Sequence, residues 1–392
     1  MKVLDNTLSK SAKIKFGAVA VMGRTLTIMA LLTFCVAMAG ATDYYVSPSG
    51  SDSNPGSSAK PFKTIQKAGG LATAGSTVHV LPGTYTTTST ISTKASGNSN
   101  AHIRFVSTVQ WGAKIVSTMG MPSTTWQNSG NYVDIVGFDI TGGGNEGILN
   151  LASHVTIIGN HVHNLPATFC NLASPTGAGI NSGANYTAGD NDVIGNVVHD
   201  IGIPGKCSVG QGIYHANARG HVYNNISYNN GAYGICLWHA ATENTISSNV
   251  LFGNGLGGIW LGANYESVSN NLSVVSNNII YKNKGYAIRE EGSVGSSNQY
   301  LNNIIFSNPS GVVLINGSAV GTITSDPQFV NPTGSYLTGN YQVKSTSPAI
   351  NKGTNVGAPV IDFNGAQRPY GGGWDIGAYQ MGATAPAWPY EQ

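Results

Sequence analysis

The sequence predicts an all-β chain that folds as a single-stranded right-handed parallel β-helix with a short N-terminal capping helix. Three observations support this fold: abundant Gly, scarce charge, and a repeated unit of an Asn, a ring and a Gly-Ile-type strand. The 392 residues include 52 Gly, and 41% are hydrophobic while only 9% are charged. This composition excludes disorder and suits many short strands that are joined by tight turns.

The repeated unit runs from Val133 onward and marks the rungs of the β-helix. Its anchor residues are Asn160, Asn196, Asn225, Asn249, Asn278 and Asn303. Three positions after each anchor stands a ring: His163, His199, Tyr228, Phe252, Tyr281 and Phe306. The strand positions, about 22 to 33 residues apart, are Ile148, Ile180, Ile213, Ile235, Ile259, Ile288 and Val312. A single rung cannot bury its apolar face, so we expect the rungs to stack, with the Asn side chains forming a ladder at a turn.

Residues 1–41 carry the features of an export signal. Lys and Arg precede an apolar run at 27–39, and small residues follow at 39–41, where we expect cleavage. The run is too short to span a bilayer comfortably, so we predict no membrane association after cleavage. Met22 is an alternative start, and the bulky Phe34 argues against a lipid anchor on Cys35. The mature protein is predicted to be secreted, either to the extracellular space or to the periplasm or cell surface.

Three cysteines remain after removal of the signal: Cys170, Cys207 and Cys236. In an oxidising compartment, one disulfide and one buried thiol is the simplest arrangement. We favour a Cys170–Cys207 pair because both residues lie in long loops between repeats, whereas Cys236 lies within a strand pattern. The expected domains are the β-helix with its N-terminal cap at 42–326, and a C-terminal capping module and tail at 327–392.

Two regions of the sequence, one near each end, contain short stretches that resemble secreted β-helix proteins. Residues 44–52 (YYVSPSGSD), 61–68 (PFKTIQKA) and 81–85 (LPGTY) are similar to the opening cap of the pectate-lyase-like β-helix superfamily. They also resemble the start of two polysaccharide lyase families, which act on pectate or on alginate and dermatan. Residues 362–365 (DFNG), 368–369 (RP) and 375–379 (DIGAY) resemble a terminal module of secreted bacterial β-helix proteins. The resemblance implies the fold and export, but it does not fix the reaction.

The strand pattern predicts an outward column of side chains that could meet a carbohydrate. Residues next to the inward strand positions should point outward, namely Asn181, Tyr214, Cys236, Trp260, Arg289 and Val313. Neighbouring columns add His215, Trp238, His239, Glu290 and Glu291. Because sugar rings pack on aromatic faces, the predicted substrate-binding residues are Tyr214, Trp238, His239, Trp260 and Glu291.

A polysaccharide lyase that cleaves a uronate polymer by β-elimination is the predicted activity. Such an enzyme needs a base for the proton alpha to the carboxyl group and a cation that neutralises this carboxylate. We assign Lys206 or His215 as the base and Arg289 as the carboxylate partner or acid. Tyr214 and Glu290 are further catalytic candidates, Glu290 as an acid. Lys206 could instead be a solvated loop residue, and Arg289 could simply pair with Glu290 or Glu291.

Two other classes of function stay open. A glycoside hydrolase would use two carboxylates, and the available acids are Glu290, Glu291, Glu243, Asp190 and Asp192. Of these, Asp190 and Glu243 share one position relative to their anchor Asn. The second class is a non-catalytic glycan-binding or surface β-helix protein, in keeping with the low charge.

No cofactor and no metal site are predicted. The acidic cluster that binds calcium in the pectate family is missing from the sequence, so calcium binding is an alternative that no motif supports. Several histidines of neighbouring rungs could meet around a metal, namely His161, His163, His199, His215, His221 and His239. However, His163 and His199 occupy the ring slot of the repeat and are expected to be stacked rings. The net charge of +2, with scattered Lys and Arg, argues against nucleic acid as a partner. The expected partner is a polysaccharide or glycan, and the expected state is a monomer.

Overall fold

The computed structural model describes residues 42–166, 177–183, 185–202, 209–239, 241–263 and 270–386. The expected export signal, Lys206, and the predicted pair of Cys170 with Cys207 lie outside the described residues. Within the described ranges, no helix is both long enough and apolar enough to cross a membrane.

Each complete rung adds one strand to each of three parallel sheets, named sheet 1, sheet 2 and sheet 3 in chain order. Sheet 1 contains the strands Asp43–Val46, Thr77–Val80, Ile103–Ser107, Val133–Val136, Thr156–Ile158, Asp192–Ile194, His221–Tyr223, Thr245–Ser247, Val274–Ser276, Gln299–Leu301 and Ala319–Val320. Sheet 2 contains Gly83–Thr87, Ala113–Ser117, Asp139–Gly142, His161–Leu165, Val197–Ile201, Ile226–Tyr228, Val250–Phe252, Ile279–Tyr281 and Ile304–Phe306. Sheet 3 contains Ile91–Thr93, Thr124–Asn128, Glu146–Asn150, Ala178–Ser182, Gln211–His215, Tyr233–Leu237, Gly257–Ala263, Tyr286–Gly292 and Gly311–Val313.

Aliphatic side chains stack in columns through the interior of the β-helix. In sheet 3 one column runs in register through Ile148, Ile180, Ile213, Ile235, Ile259, Ile288 and Val312. The six Ile side chains of this column are fully buried and belong to the main apolar core. The register that the sequence spacing predicted is therefore confirmed.

The anchor Asn side chains form a buried ladder at the turn between sheets 1 and 2. Asn196 Nδ2 donates to Asn225 Oδ1 at 3.0 Å and to the carbonyl oxygen of Ile157 at 2.9 Å. The same amide-to-amide bonds continue along the repeat from Asn160 to Asn303. The predicted ladder is confirmed, and it satisfies backbone groups of the turns that would otherwise be buried without partners.

A second ladder, which the sequence analysis did not predict, lies at the turn between sheets 2 and 3. It consists of Asn230, Asn254, Asn283 and Asn308, whose amide-to-amide distances are all 2.9 Å. Each of these side chains also bonds to backbone of a neighbouring rung. Two corners of each of these rungs are thus fixed by side-chain amides.

A short helix, Ile65–Gly69, packs against the first strands at the N-terminal end of the β-helix. Thr64 is its N-cap, and the Thr64 hydroxyl accepts a hydrogen bond from the backbone N–H of Lys67 at 3.2 Å. Asp52 accepts two more backbone N–H groups just before the helix, both at 2.9 Å. The buried Ile65 joins the core, so the predicted capping helix is confirmed.

The segment that follows the last rung packs along the outer face of sheet 2. It includes an antiparallel hairpin of Phe329–Asn331 and Asn340–Val343. Tyr341 of this hairpin stacks on Phe252, with 4.1 Å between the ring centroids. The capping module expected at 327–392 stays a prediction, and apolar residues of the described part of this segment pack on the side of the β-helix. Their apolar side chains form a second buried cluster on the outside of sheet 2.

Candidate functional site

Outward positions of sheet 3 form two parallel columns. The first is the predicted one, and its register is confirmed through Asn181, Tyr214, Cys236, Trp260, Arg289 and Val313. The second was not predicted and contains Tyr233, Gly257 and Tyr286. The strand pairing therefore brings residues that are far apart in sequence onto one surface, named here the sheet 3 face.

Three aromatic rings meet on the sheet 3 face. The Trp260 ring stacks on Tyr233 with 5.0 Å between centroids, and it lies 4.4 Å from the ring of Trp238. Gly262 makes room for Trp238, because a Cβ atom at Gly262 would lie 2.3 Å from the indole. Trp238 and Trp260 are partly exposed. Sugar rings can pack their C–H faces on such a surface.

Arg289 follows Trp260 in the next rung and supplies a positive charge to the sheet 3 face. Its guanidinium lies over the Tyr286 ring at 4.8 Å and pairs with Glu291 at 3.1 Å. Burial lowers the pKa of Arg289, but the hydrogen bond to Tyr233 and the charge of Glu291 outweigh this effect and raise it. The side chain is 31% exposed, so a charged donor fork is available to a carboxylate.

Tyr214 and His239 lie on the N-terminal side of the three rings. The His239 ring is 6.5 Å from Tyr214 and 4.1 Å from Tyr186, which is exposed. The structure thus places the predicted binding residues Tyr214, Trp238, His239 and Trp260 on successive rungs. Their role in binding stays a prediction.

His215 does not lie on the outer surface, contrary to our expectation. It is fully buried, and its Nε2 lies 3.2 Å from Asn244 Oδ1 inside the β-helix. Burial lowers the pKa of His215 to about 4. Alternation along the strand explains the error, because His215 pairs in register with the inward Leu237. A polymer on the surface cannot reach this ring, so the structure removes His215 as a base.

Glu290 is also an interior residue. It is only 3% exposed, and its Oε2 accepts the backbone N–H groups of Ile315 and Asn316 at 2.7 and 3.0 Å. Its Oε1 accepts the hydroxyl of Tyr300. These contacts hold the last rung together. The structure therefore corrects the assignment of Glu290 as a catalytic acid, while its neighbour Glu291 remains outside beside Arg289.

A carboxylate that the sequence analysis missed lies near the N-terminal end of the sheet 3 face. Glu146 Oε1 accepts the side-chain amide of Asn181 at 2.7 Å, and Oε2 accepts the hydroxyl of Thr124 at 2.9 Å. Glu146 stands at the first position of its strand, which the Ile-based column analysis did not cover. Tyr233 and Tyr286 were missed for the same reason.

Asp190 and Glu243, two of the acids considered for hydrolysis, are separated by an arginine. Asp190 and Glu243 occupy equivalent positions before strands of sheet 1, with Arg219 between them in the intervening rung. Arg219 donates two hydrogen bonds to Asp190 at 2.9 and 2.8 Å. This bidentate pair lowers the pKa of Asp190, whereas a general acid requires a raised pKa.

Cys236 lies in the first column but is buried, and it is a free thiol. Burial raises the pKa of this thiol well above its usual range, and the charge of Glu291 adds to the effect. The predicted buried thiol is confirmed. A thiol in this state is not reactive, and the predicted Cys170–Cys207 bridge remains a prediction.

The residues on the sheet 3 face do not fit a calcium ion. Calcium takes about six to eight oxygen ligands, often from several carboxylates. Among the described residues no three carboxylates come together, and Glu146 is already bonded to Thr124 and Asn181. No step of the proposed chemistry therefore passes through calcium.

The family model "Pel9A-like, right handed beta helix region" matches residues 44–316. A stretch of 80 residues is 44% identical to pectate lyase PEL9 of Emericella nidulans, and 67 residues are 46% identical to the uncharacterized protein YwoF of Bacillus subtilis. These stretches are 20% and 17% of this chain, and they span only 19% and 14% of the two relatives.

Solved structures give the same fold over a longer part of the chain. The crystal structure of pectate lyase Pel9A has a TM-score of 0.64 at 20% identity, covering 87% of this chain and 97% of that one. An alginate lyase from Paenibacillus sp. has a TM-score of 0.50 at 16% identity, covering 67% and 96%. The right-handed parallel β-helix predicted from the sequence is thereby confirmed. Because the family model covers most of the chain, this protein belongs to the Pel9A-like right-handed β-helix family.

Proposed function

We propose that this chain is a secreted polysaccharide lyase that cleaves a uronate-containing polymer by β-elimination on the sheet 3 face. The observation that carries the proposal is the placement of the Arg289 guanidinium beside the stacked rings of Trp260 and Tyr233. A guanidinium can bind the carboxylate of an anionic sugar, while the aromatic faces beside it can pack against the sugar ring. The membership of the Pel9A-like family, whose structural neighbours include lyases, supports the same choice.

Binding would use the rings and the guanidinium together. The C–H face of one sugar residue would pack on Trp260 or Trp238, while the carboxylate of another would meet Arg289. Arg289 now pairs with Glu291, so the substrate carboxylate would take over from Glu291. Neutralising that carboxylate acidifies the proton at the neighbouring carbon.

The elimination needs a base and a leaving-group proton. The base removes the proton alpha to the carboxyl group, a double bond forms to the beta carbon, and the bond to the glycosidic oxygen breaks. That oxygen leaves as an alcohol once it has taken up a proton. With His215 and Glu290 inside the β-helix, Lys206 is the base that we propose; in the sequence it lies between the strands Val197–Ile201 and Gln211–His215.

The proposal is tested by incubating the purified protein with pectate, alginate, glycosaminoglycans and neutral polysaccharides. Ultraviolet absorbance reports the unsaturated uronate product of β-elimination, and a parallel assay counts new reducing ends. We expect both signals with one anionic polymer. New reducing ends without absorbance would mean hydrolysis, and neither signal on any polymer, with binding retained, would mean a glycan-binding protein.

Variants locate the activity on the molecule. We expect Arg289→Ala and Lys206→Ala to abolish the absorbance signal without lowering the thermal transition. Arg104→Ala is the matched control, since Arg104 is exposed to a similar extent and lies 3.8 Å from Asp134 on sheet 1. Equal activity of all three variants would overturn the assignment of the sheet 3 face.

A further inference from the structure

Three histidines come together on the outer face of sheet 2, away from the sheet 3 face. His161 and His163 are alternate residues of the strand His161–Leu165, so their side chains leave the same face. His199 pairs in register with His163 on the next rung. One ring nitrogen from each of the three residues lies within 4.8 Å of the others. We name these three residues the histidine cluster.

The rings of the histidine cluster are packed closely. His161 Nε2 and His199 Nε2 are 2.8 Å apart, and the ring centroids of His161 and His163 are 4.1 Å apart. The ring of Trp111 packs against His161 at 4.9 Å between centroids. His161 and His199 are almost fully buried, whereas His163 is partly exposed and opens a path from solvent.

In two of the rings, those of His161 and His199, the Nδ1 atom lies within hydrogen-bond distance of a carboxylate. His161 Nδ1 lies 2.9 Å from Asp139 Oδ2, and His199 Nδ1 lies 2.6 Å from Asp200 Oδ2. Hydrogen bonds from histidines lower the pKa of both carboxyl groups despite the opposing effect of burial. Metal-binding histidines characteristically donate their second ring N–H to a carboxylate in this way.

The contacts of His161 and His199 favour a cation between their Nε2 atoms. An ionised carboxylate only accepts hydrogen bonds, so each Nδ1 must carry its proton and donate it. In the neutral rings each Nε2 then carries a lone pair, and the two lone pairs face one another across 2.8 Å. A metal ion or a shared proton between the nitrogens removes this repulsion.

We propose that His161, His163 and His199 bind one divalent transition-metal ion of the zinc type. Imidazole nitrogen is a preferred ligand for such ions, and three histidines with one open position form a common zinc site. Metal-to-nitrogen bonds of about 2.0–2.1 Å in a tetrahedral site require the two Nε2 atoms to move apart by roughly half an ångström. They also require the His163 ring, which is stacked on His161 and has its Nδ1 2.5 Å from Asn164 Oδ1, to turn its Nε2 toward the ion. Asp139, which also lies 3.3 Å from His163 Nε2, or a water would complete the coordination.

The test is the binding of Zn²⁺ alone to metal-stripped full-length protein, measured by isothermal titration calorimetry. We expect one equivalent of Zn²⁺ to bind, and the thermal midpoint to rise with Zn²⁺ concentration because the ion binds the folded state. His199→Tyr should lose this binding. The variant should still fold, since Tyr228 occupies the same slot on the next rung and already stacks on His199 at 4.5 Å.

His221→Tyr is the matched control. His221 also lies 2.7 Å from an aspartate, Asp192, but it is on sheet 1 and outside the histidine cluster. We expect this variant to bind Zn²⁺ like the wild type. Absence of stoichiometric binding by the wild type, or equal binding by His199→Tyr, would overturn the proposal and leave the shared proton as the cation.

Discussion

At the scale of single residues, the direction of a side chain decides whether it can act on a substrate. His215 and Tyr214 are neighbours on one strand, and so are Glu290 and Glu291 on another. In each pair one side chain points inward and the other outward. By residue type alone, both members of each pair were equally good candidates for the site. Only the strand alternation, applied to every candidate, could have separated them.

His215 should make the stability of the protein depend on pH. Its pKa is lowered from 6.5 to about 4 in the folded state by burial. Between these values the unfolded chain binds the proton and the folded chain does not, so the unfolding free energy falls as pH drops from 6.5 to 4. The full effect is about 3 kcal/mol.

The variant His215→Leu isolates this effect, because Leu237 and Leu261 occupy the same inward position on the next two rungs. Urea unfolding at several pH values should show a weaker pH dependence for the variant than for the wild type. Identical pH dependence in the two proteins would show that His215 is not the neutral buried group described here.

Truncation of the two adjacent glutamates should change the unfolding free energy by very different amounts. Glu290→Ala leaves the buried Tyr300 hydroxyl and two part-buried backbone N–H groups without their acceptor, at a cost of about 3 kcal/mol in unfolding free energy. Glu291→Ala removes a partly exposed pair and should change stability by less than about 0.5 kcal/mol. Chemical denaturation of both variants checks this, and equal losses would contradict the inward and outward placement.

At the scale of the strand and turn, the Asn ladders connect the rungs where the chain changes sheet. Asn225→Ala removes an amide that accepts from Asn196 and donates both to Asn249 and to the carbonyl of Val193. Buried groups without partners should lower the unfolding free energy by about 3 kcal/mol. Denaturant titration against the exposed-site control Asn100→Ala tests this. A loss no larger than that of the control would show that the ladder does not stabilise the turn.

The register of the rungs could be predicted from the sequence because every rung places the same kinds of residue at the same positions. The inward Ile column, the Asn anchors and the ring slot all recur with recognisable residue types, and the strand pairing confirms them. Tyr233, Tyr286 and Glu146 were missed because no repeated residue type marks their position. The packing of residues 327–386 on sheet 2 was missed because this segment lies outside the repeat.

At the scale of the whole molecule, the faces of the β-helix have different surroundings. From the strand Ile226–Tyr228 onward, the outer face of sheet 2 is covered by the C-terminal segment, where buried Arg368 donates to Ser248 and to the carbonyl of Gly377. Burial lowers the pKa of Arg368 to about 10. The sheet 3 face instead presents partly exposed rings and the Arg289 charge. This separation lets sugar binding and the histidine cluster be tested independently.

Loss of one aromatic ring from the sheet 3 face should weaken polysaccharide binding without unfolding the protein. We expect Trp260→Ala to bind the cognate polymer about tenfold more weakly, equivalent to about 1.4 kcal/mol. The control is Trp111→Ala, which removes a partly exposed indole from the sheet 2 side of the molecule. Affinity electrophoresis in polymer-containing gels compares the two, and equal retardation would contradict binding on the sheet 3 face.

The most direct test of the account is the ultraviolet absorbance of a pectate solution after addition of the wild-type protein or of Arg289→Ala. We predict a steady rise with the wild type and no rise with the variant, at matched concentration and with equal thermal midpoints. A rise of the same rate with both proteins would contradict the placement of the lyase site on the sheet 3 face. No rise with the wild type on pectate or on any other uronate polymer would contradict the lyase itself.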